Sequence, residues 1–239
     1  MNTPFALDHP QVWSAKQLQQ SPQKHQLSGH DELDQLLYGG WPEAGLVELN
    51  YSHQGIGELR LLWPLLKQRQ ETEKKSKKDT KQASLQVWVN PPAGVHSQAL
   101  AQAGINLQQL VIVQCANPKE ALWAAEQSLQ SGCCRYVVLW QQHMRTSEAK
   151  RLQWAAKDND ALLFWLRESS TDRSGLPISA RLALSPCPQG IRVEVSKLQG
   201  QWPPAGRTIP LNGHWPELYA PVPVPIPPQA PNNNVIPLR

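Results

Sequence analysis

Short apolar runs alternate with helical patterns through most of this chain, and the alternation restricts its fold more than any other feature. The strand-like runs lie at residues 46–51, 85–90, 110–115, 136–140 and 161–167. The helical patterns lie near residues 57–70, 96–103, 118–131 and 146–157. Strands that alternate with helices form βαβ units, which build a parallel sheet covered by helices on both faces. The sequence therefore predicts an α/β fold with a mainly parallel central sheet.

The composition changes after residue 167, and a different kind of structure is predicted there. Residues 181–185 and 191–197 flank a Pro-Cys-Pro-Gln-Gly turn, and alternating apolar residues in the second run indicate an antiparallel hairpin at the sheet edge. From Trp215 onward the chain holds eight prolines, which predict an extended, polyproline-like tail. We expect this hairpin to be the last part of the packed core.

These patterns divide the chain into three parts. Residues 1–26 form a polar N-terminal arm, residues 27–200 form the core, and residues 201–239 form the Pro-rich tail. A Lys-rich segment at residues 74–81 interrupts the core pattern. We interpret it as a solvated loop or helix end, and a DNA-contacting patch is the alternative.

Composition narrows the class of protein. The 239 residues, 40% of them hydrophobic, suffice for one core, and a net charge of +4 is far below that of a dedicated nucleic-acid binder. The longest apolar run, at residues 161–166, is much shorter than the roughly 20 residues that span a bilayer, and the N-terminus lacks a secretory pattern. The four cysteines form no Cys-x-x-Cys pair, which argues against a metal site. We expect a cytoplasmic protein without membrane contact.

The turn after the first core strand stands where many proteins of this class bind phosphate. A P-loop, G-x-x-x-x-G-K-[ST], cradles phosphates with backbone N–H groups and adds a Lys ammonium and a Mg²⁺-binding hydroxyl. Residues 52–59 keep only Gly57 of this template, because Ser52 replaces the first Gly, Glu58 the Lys, and Leu59 the Ser or Thr. A carboxylate at that position repels a triphosphate, so we interpret the turn as a degenerate P-loop.

The segment leading into this turn resembles the one that precedes the P-loop of RecA-type recombinases. It comprises Leu27-Ser28-Gly29, Leu33-Asp34, Gly39-Gly40-Trp41-Pro42 and Gly45-Leu46-Val47-Glu48. Within that superfamily, His9-Pro10-x-Val12-Trp13 and the GIGELRLL run at residues 55–62 resemble the ImuA family, RecA-like proteins of bacterial translesion-synthesis cassettes. The resemblance covers about residues 27–200 and implies a RecA-like three-layer sandwich with a C-terminal antiparallel hairpin. Glu58 belongs to the ImuA pattern, so the lost Lys is a family character.

The resemblance also implies where the other catalytic groups of a RecA-type ATPase would stand. The water-orienting Glu aligns with Pro92, and the Mg²⁺-binding Asp that ends a later strand aligns with Trp140. With these roles vacated, we predict no catalytic residue, no cofactor and no metal, and we expect the Trp140 ring to fill the vacated site. Gly55 and Gly57 remain at a helix start, where their N–H groups either attract an anion or, as we favour, form only a tight turn.

The leading hypothesis is a non-catalytic accessory protein of an SOS-induced mutasome. The resemblance to ImuA implies three partners: the ImuB pseudo-polymerase, RecA, and an error-prone DnaE-type polymerase. The loops after the fourth and fifth strands carry few cations, so at most a weak or indirect DNA contact is favoured. The alternative is a SulA-like inhibitor of cell division that binds FtsZ, since SulA also resembles a RecA core without a P-loop. A third reading is an ATPase with an unconventional site.

Overall fold

The structure is a computed structural model, and it describes residues 24–75, 85–92, 94–169 and 175–211. The side chains of residues 68–75 are not described. Several features of the sequence lie outside these ranges: most of the N-terminal arm, most of the Lys-rich segment, part of the loop before the hairpin, and the Pro-rich tail beyond residue 211.

The described chain forms ten strands and five helices. The strands are β1 (His25–Gln26), β2 (Trp41–Pro42), β3 (Gly45–Tyr51), β4 (Leu85–Val89), β5 (Leu110–Val113), β6 (Cys134–Trp140), β7 (Leu162–Glu168), β8 (Ala180–Cys187), β9 (Gly190–Leu198) and β10 (Arg207–Pro210). The helices are α1 (Asp31–Leu36), α2 (Glu58–Lys75), α3 (Ser97–Gln102), α4 (Pro118–Gln130) and α5 (Thr146–Asp158). A 3₁₀ turn at Leu107–Gln109 precedes β5.

Eight strands form one sheet in the order β10-β9-β8-β3-β7-β6-β4-β5. Every pairing from β8 to β5 is parallel, and β8-β9 and β9-β10 are antiparallel. The parallel strands are apolar on both faces, as β6 shows with seven buried residues in a row. This confirms the mixed α/β class, the mainly parallel sheet and the antiparallel hairpin.

Two apolar clusters lie on opposite faces of the sheet. One joins α1, α2 and α3 to side chains such as Leu49, Val138 and Phe164. The other joins α4 and α5 to Leu46, Leu139 and their neighbours on the same face. Because adjacent strand residues point to opposite faces, the central strands β3, β4, β6 and β7 supply both clusters, whereas β8, β9 and β10 supply only the first. No helix among the described residues is long and apolar enough to cross a membrane.

The sheet extends beyond the hairpin, which the sequence did not predict. Strand β10 pairs antiparallel with β9 in a region that we had assigned to the extended tail. Only Ile209 of its four residues is buried, so it carries too little apolar periodicity to be recognised. Gly190 permits the pairing, because a Cβ there would lie 2.2 Å from the carbonyl oxygen of Ile209. The short β1-β2 ribbon was also not predicted.

Candidate functional site

The degenerate P-loop lies between β3, which ends at Tyr51, and α2, which begins at Glu58. Gly55 and Gly57 take φ angles of +82° and +99°, a region that side chains disfavour, so the turn needs glycine at both positions. Ser52 is exposed and its hydroxyl lies 3.0 Å from His53 Nδ1, while Leu59 packs against the α2-side core. Neither residue lines a phosphate cradle.

Glu58 occupies the loop with its own carboxylate. Its Oε2 accepts a hydrogen bond from the Gly57 N–H at 3.1 Å, and Oε1 accepts a long one from the Gly55 N–H at 3.5 Å. The residue is 6% exposed. Backbone N–H groups at a helix N-terminus attract an anion, and here the anion is a side chain of the same turn. The donors that hold phosphate in a P-loop are therefore directed at an internal carboxylate.

The electrostatic environment beside the turn is negative. Burial, together with the nearby carboxylates of Glu58 and Glu168, raises the pKa of the Tyr51 phenol to about 12. Phosphate-binding sites need the opposite field, which stabilises anions. The carboxylates of Glu58 and Glu168 would therefore repel the phosphates of a nucleoside triphosphate.

Trp140, which we align from the sequence with the Walker-B acid of RecA-type ATPases, is buried at the carboxyl edge of the sheet. It is 7% exposed, and its ring packs edge-on against Trp88 with centroids 5.8 Å apart. This confirms the prediction of a packed indole. Pro92 lies at the rim of the remaining depression, about 360 Å³, which Trp140, Tyr51, Gln141 and Glu168 also line. Gln141 and Gln142 follow Trp140 with amides that neither accept a proton nor bind Mg²⁺ strongly.

Sequence reasoning missed a buried charge cluster behind this edge. Glu48 is fully buried, and its two carboxylate oxygens lie 2.9 Å and 2.6 Å from the Nε atoms of Arg167 and Arg181. Arg167 also donates to Asn50 Oδ1 at 2.9 Å and stacks over the Trp165 ring. The signal was present, because Glu48 and Arg167 interrupt apolar strands where a charge is costly unless paired.

The structure thus brings together Gly55, Gly57 and Glu58 in one hydrogen-bonded turn, and Pro92 and Trp140 around one small depression. It places Ser52 and Leu59 outside both. The arrangement provides internal hydrogen bonding and apolar packing where an ATPase provides phosphate donors, a metal ligand and a base. Its chemistry is that of a closed structural turn.

Comparison with known proteins finds relatives named as cell division inhibitors. The chain is 29% identical over 126 residues to the cell division inhibitor SulA of Yersinia enterocolitica, covering 52% of this chain and 69% of that protein. It is 27% identical over 134 residues to the cell division inhibitor SulA of Yersinia pestis, covering 56% and 74%. The chain is therefore homologous to SulA at low identity. No protein-family model matches.

Among solved structures, the crystal structure of SulA from Pseudomonas aeruginosa is similar with a TM-score of 0.39 and 22% identity. The similarity covers 52% of this chain and 98% of that one.

Proposed function

We propose that this protein is a non-catalytic, SulA-like inhibitor of cell division that acts in the SOS response by binding FtsZ. The observation that carries the proposal is the homology to cell division inhibitors named SulA over more than half of the chain. Homology at this identity supports a shared fold and mode of action more than a shared set of contact residues. FtsZ is therefore the proposed partner.

The closed turn supports the non-catalytic part of the proposal. On this reading the core is a RecA-like scaffold whose nucleotide site has been lost. The Glu58 carboxylate occupies the loop donors, and Pro92 and Trp140 stand where the acids would be. A scaffold of this kind keeps its sheet and its surface for binding partners. Its loop N–H groups bond to the Glu58 carboxylate, so we infer that it has no site for ATP. Cytoplasmic location follows from a partner that assembles in the cytoplasm.

Expression of the chain in bacteria, followed by measurement of cell length, tests the proposal. We expect filamentous cells without septa, and we expect purified protein to lower the light scattering of FtsZ assembling with GTP. Glu58→Gln is the matched variant, since it alters the degenerate loop while preserving its shape, and it should inhibit as well as the parent. Cells of normal length together with unaffected FtsZ assembly would refute the proposal.

A second candidate is the mutasome accessory role with ImuB, RecA and a DnaE-type polymerase as partners. It is favoured by the GIGELRLL run at residues 55–62, which resembles the ImuA pattern. Glu58 of this run accepts hydrogen bonds from the loop N–H groups, and this structural role explains why the pattern holds a Glu there. The mutasome role is also favoured by the share of the chain, nearly half, that lies outside the match to SulA.

Deletion of the gene distinguishes the two candidates. Loss of damage-induced mutagenesis with unchanged cell division, together with co-purification of ImuB, would replace the division-inhibitor proposal with the mutasome role. Unchanged mutagenesis and no association with ImuB or RecA would remove the mutasome role.

A further inference from the structure

Two tryptophans on the outer surface of α4 and α5 do not pack into the core. The inner faces of these helices bury small residues, among them Ala121, Ala125 and Ala149, against the sheet. Trp123 on α4 and Trp154 on α5 face outward, and each is 62% exposed. An exposed indole leaves a large apolar area in water, and tryptophan is the residue most enriched at the energetic centres of protein interfaces.

An ion pair links the two helices between these tryptophans. Arg151 of α5 donates from Nε to Glu126 Oε1 of α4 at 3.0 Å and from Nη2 to Glu126 Oε2. Trp123 lies one turn before Glu126 and Trp154 one turn after Arg151. Both helices connect parallel strands and therefore run in the same direction, so the two indoles lie on opposite sides of the ion pair. Helix rise and spacing place them about 13 Å apart.

Each tryptophan forms a wall of its own depression. The first, about 710 Å³, lies beside Trp123 and is lined by apolar Leu122, Met144 and Leu152 together with several polar and charged side chains. The second, about 460 Å³, lies beside Trp154 and Ala155. We call the surface formed by Trp123, Glu126, Arg151, Trp154 and the two depressions the α4–α5 groove. It offers one depression of mixed polar and apolar lining and one mainly apolar depression, with a bidentate ion pair between them.

The rim of the groove has an excess of available positive charge. Lys119, Arg145 and Lys150 are exposed, and none of them forms an ion pair within the described ranges. Three acids lie at the groove: Glu126 pairs with Arg151, Glu148 accepts the Arg145 backbone N–H at 2.8 Å, and Asp158 lines the second depression. Free cations around partly apolar depressions complement an acidic segment with apolar side chains.

We propose that the α4–α5 groove binds an acidic amphipathic helix of a partner protein. Two apolar side chains of that helix, seven or eight residues apart, would lie about 11–12 Å apart along its axis and could enter the two depressions. Flanking Asp and Glu side chains would meet Lys119, Arg145 and Lys150. The inference deepens the proposed function, because it rests on a chain that acts by binding a protein, and it names the chemistry of the segment bound.

Other occupants fit these observations less well. A phosphate backbone needs continuous positive charge, whereas Glu126 lies at the centre of the groove and Asp158 lines the second depression. A second copy of the chain related by a two-fold axis would bring the same cations face to face. An acidic helix avoids both conflicts.

The test uses the full chain and a fluorescein-labelled 20-residue peptide. The peptide is rich in Ala to favour a helix, carries Leu seven residues apart on one face, and has Glu at the positions that flank this face. We expect saturable binding by fluorescence anisotropy, weakened by salt, with a shift of tryptophan emission. The double variant Trp123→Ala/Trp154→Ala should weaken binding at least about tenfold, as loss of two interface anchors does. Lys119→Glu/Lys150→Glu should weaken it to a similar extent and reduce its salt dependence.

Matched controls separate the groove from the rest of the surface. Trp202→Ala removes a tryptophan that is 85% exposed outside the groove, and Lys67→Glu reverses an exposed charge on α2. Both should bind the peptide like the parent. A peptide with Lys in place of Glu should bind at least tenfold more weakly. Circular dichroism verifies that each variant is folded, which we expect because the altered side chains are exposed.

Any of four results would overturn the inference. Three are binding results: no saturable binding up to about millimolar peptide, equal losses in groove and control variants, or tighter binding of a single-stranded oligonucleotide than of the acidic peptide. The fourth is a dimer in sedimentation that the Trp123→Ala/Trp154→Ala variant abolishes, which would indicate self-association. Cell length reports on the proposed function and anisotropy on the groove, so the two proposals can fail separately.

Discussion

The carboxyl edge of the sheet and the α4–α5 groove use the same side chain in opposite ways. At the edge, Trp88 and Trp140 pack against each other and are almost fully buried, and Glu58 satisfies the loop N–H groups from inside. In the groove, Trp123 and Trp154 remain largely in water beside open depressions. In the first region, other residues of the chain cover the indole rings and bond to the loop N–H groups. In the second region, apolar area and charge remain exposed to water.

The difference teaches where function can be sought in a scaffold of this kind. A site whose loop N–H groups and apolar surface are already occupied internally has little free energy left for a ligand. A surface with exposed indoles and free cations gains apolar burial and charge pairing when a partner covers it. Substitutions in the two regions should therefore affect different quantities: stability at the edge and binding in the groove.

The largest expected contrast is between Trp140→Ala and Trp154→Ala. Removing the buried Trp140 ring leaves a cavity beside Trp88 and should lower the free energy of unfolding by about 3–5 kcal/mol. Removing the exposed Trp154 ring should change it by less than about 0.5 kcal/mol. Urea denaturation followed by circular dichroism measures both. Equal destabilisation by the two variants would contradict the division into a packed edge and an uncovered groove.

A comparable loss is expected at the buried charge cluster. Glu48→Gln removes the carboxylate that lies against Arg167 and Arg181, leaves their guanidinium groups short of a counter-charge, and should cost about 3–5 kcal/mol. Glu194→Gln is the matched control, since its ion pair with Arg192 is exposed, and it should cost less than about 1 kcal/mol. The denaturant midpoints of the two variants measure these losses. Similar midpoints would show that burial does not increase the contribution of this charge cluster to stability.

A pH effect of intermediate size is expected from Tyr51. Its folded-state pKa is raised to about 12 from 10.0, so the fold favours the neutral phenol. The corresponding stability is fully present below pH 10 and is lost as the pH rises from 10 to about 12; two pKa units correspond to about 2–3 kcal/mol. Stability measured across this range should fall less steeply in Tyr51→Phe than in the parent. Tyr38→Phe, at an exposed tyrosine, serves as the control and should retain the steep fall.

The smallest effect is expected at the turn itself. Glu58→Ala removes an acceptor from the Gly57 N–H and should cost about 1–2 kcal/mol. Glu58→Lys restores the cation of a P-loop, but Ser52, Leu59, Pro92 and Trp140 still lack the other groups, so we expect no heat of ATP binding in calorimetric titration. Saturable ATP binding by Glu58→Lys would show that the edge is closed by one residue alone and would weaken the comparison.

Much of the fold was predictable because its signals are local. The apolar runs that became β3, β4, β6 and β7 and the hairpin β8-β9 were identified from residue patterns, since each strand is buried on both faces or alternates strictly. Strand β10 and the β1-β2 ribbon were not identified. They are two to four residues long and are held by pairing with residues distant in the chain, such as Pro42 with His25.

The candidate site was predictable in identity more than in geometry. The sequence directly shows Glu58 in place of the P-loop Lys and Trp140 in place of an acid. The packing of the Trp140 ring was predictable because this residue ends an apolar strand. The hydrogen bonds from Gly55 and Gly57 to Glu58 could not be read, because they depend on positive φ angles and on how α2 begins. The Glu48 cluster joins three strands whose adjacency comes from the sheet order.

The amino-acid sequence by itself determined the order of strands and helices and the absence of the P-loop Lys and hydroxyl, because periodicity and residue identity are properties of neighbouring residues. Only the tertiary structure decided that Glu58 turns its carboxylate onto the loop N–H groups. It also decided which tryptophans are buried and which face water. Burial depends on contacts between segments far apart in the chain, and residue identity alone does not distinguish a core indole such as Trp88 from an exposed one such as Trp123.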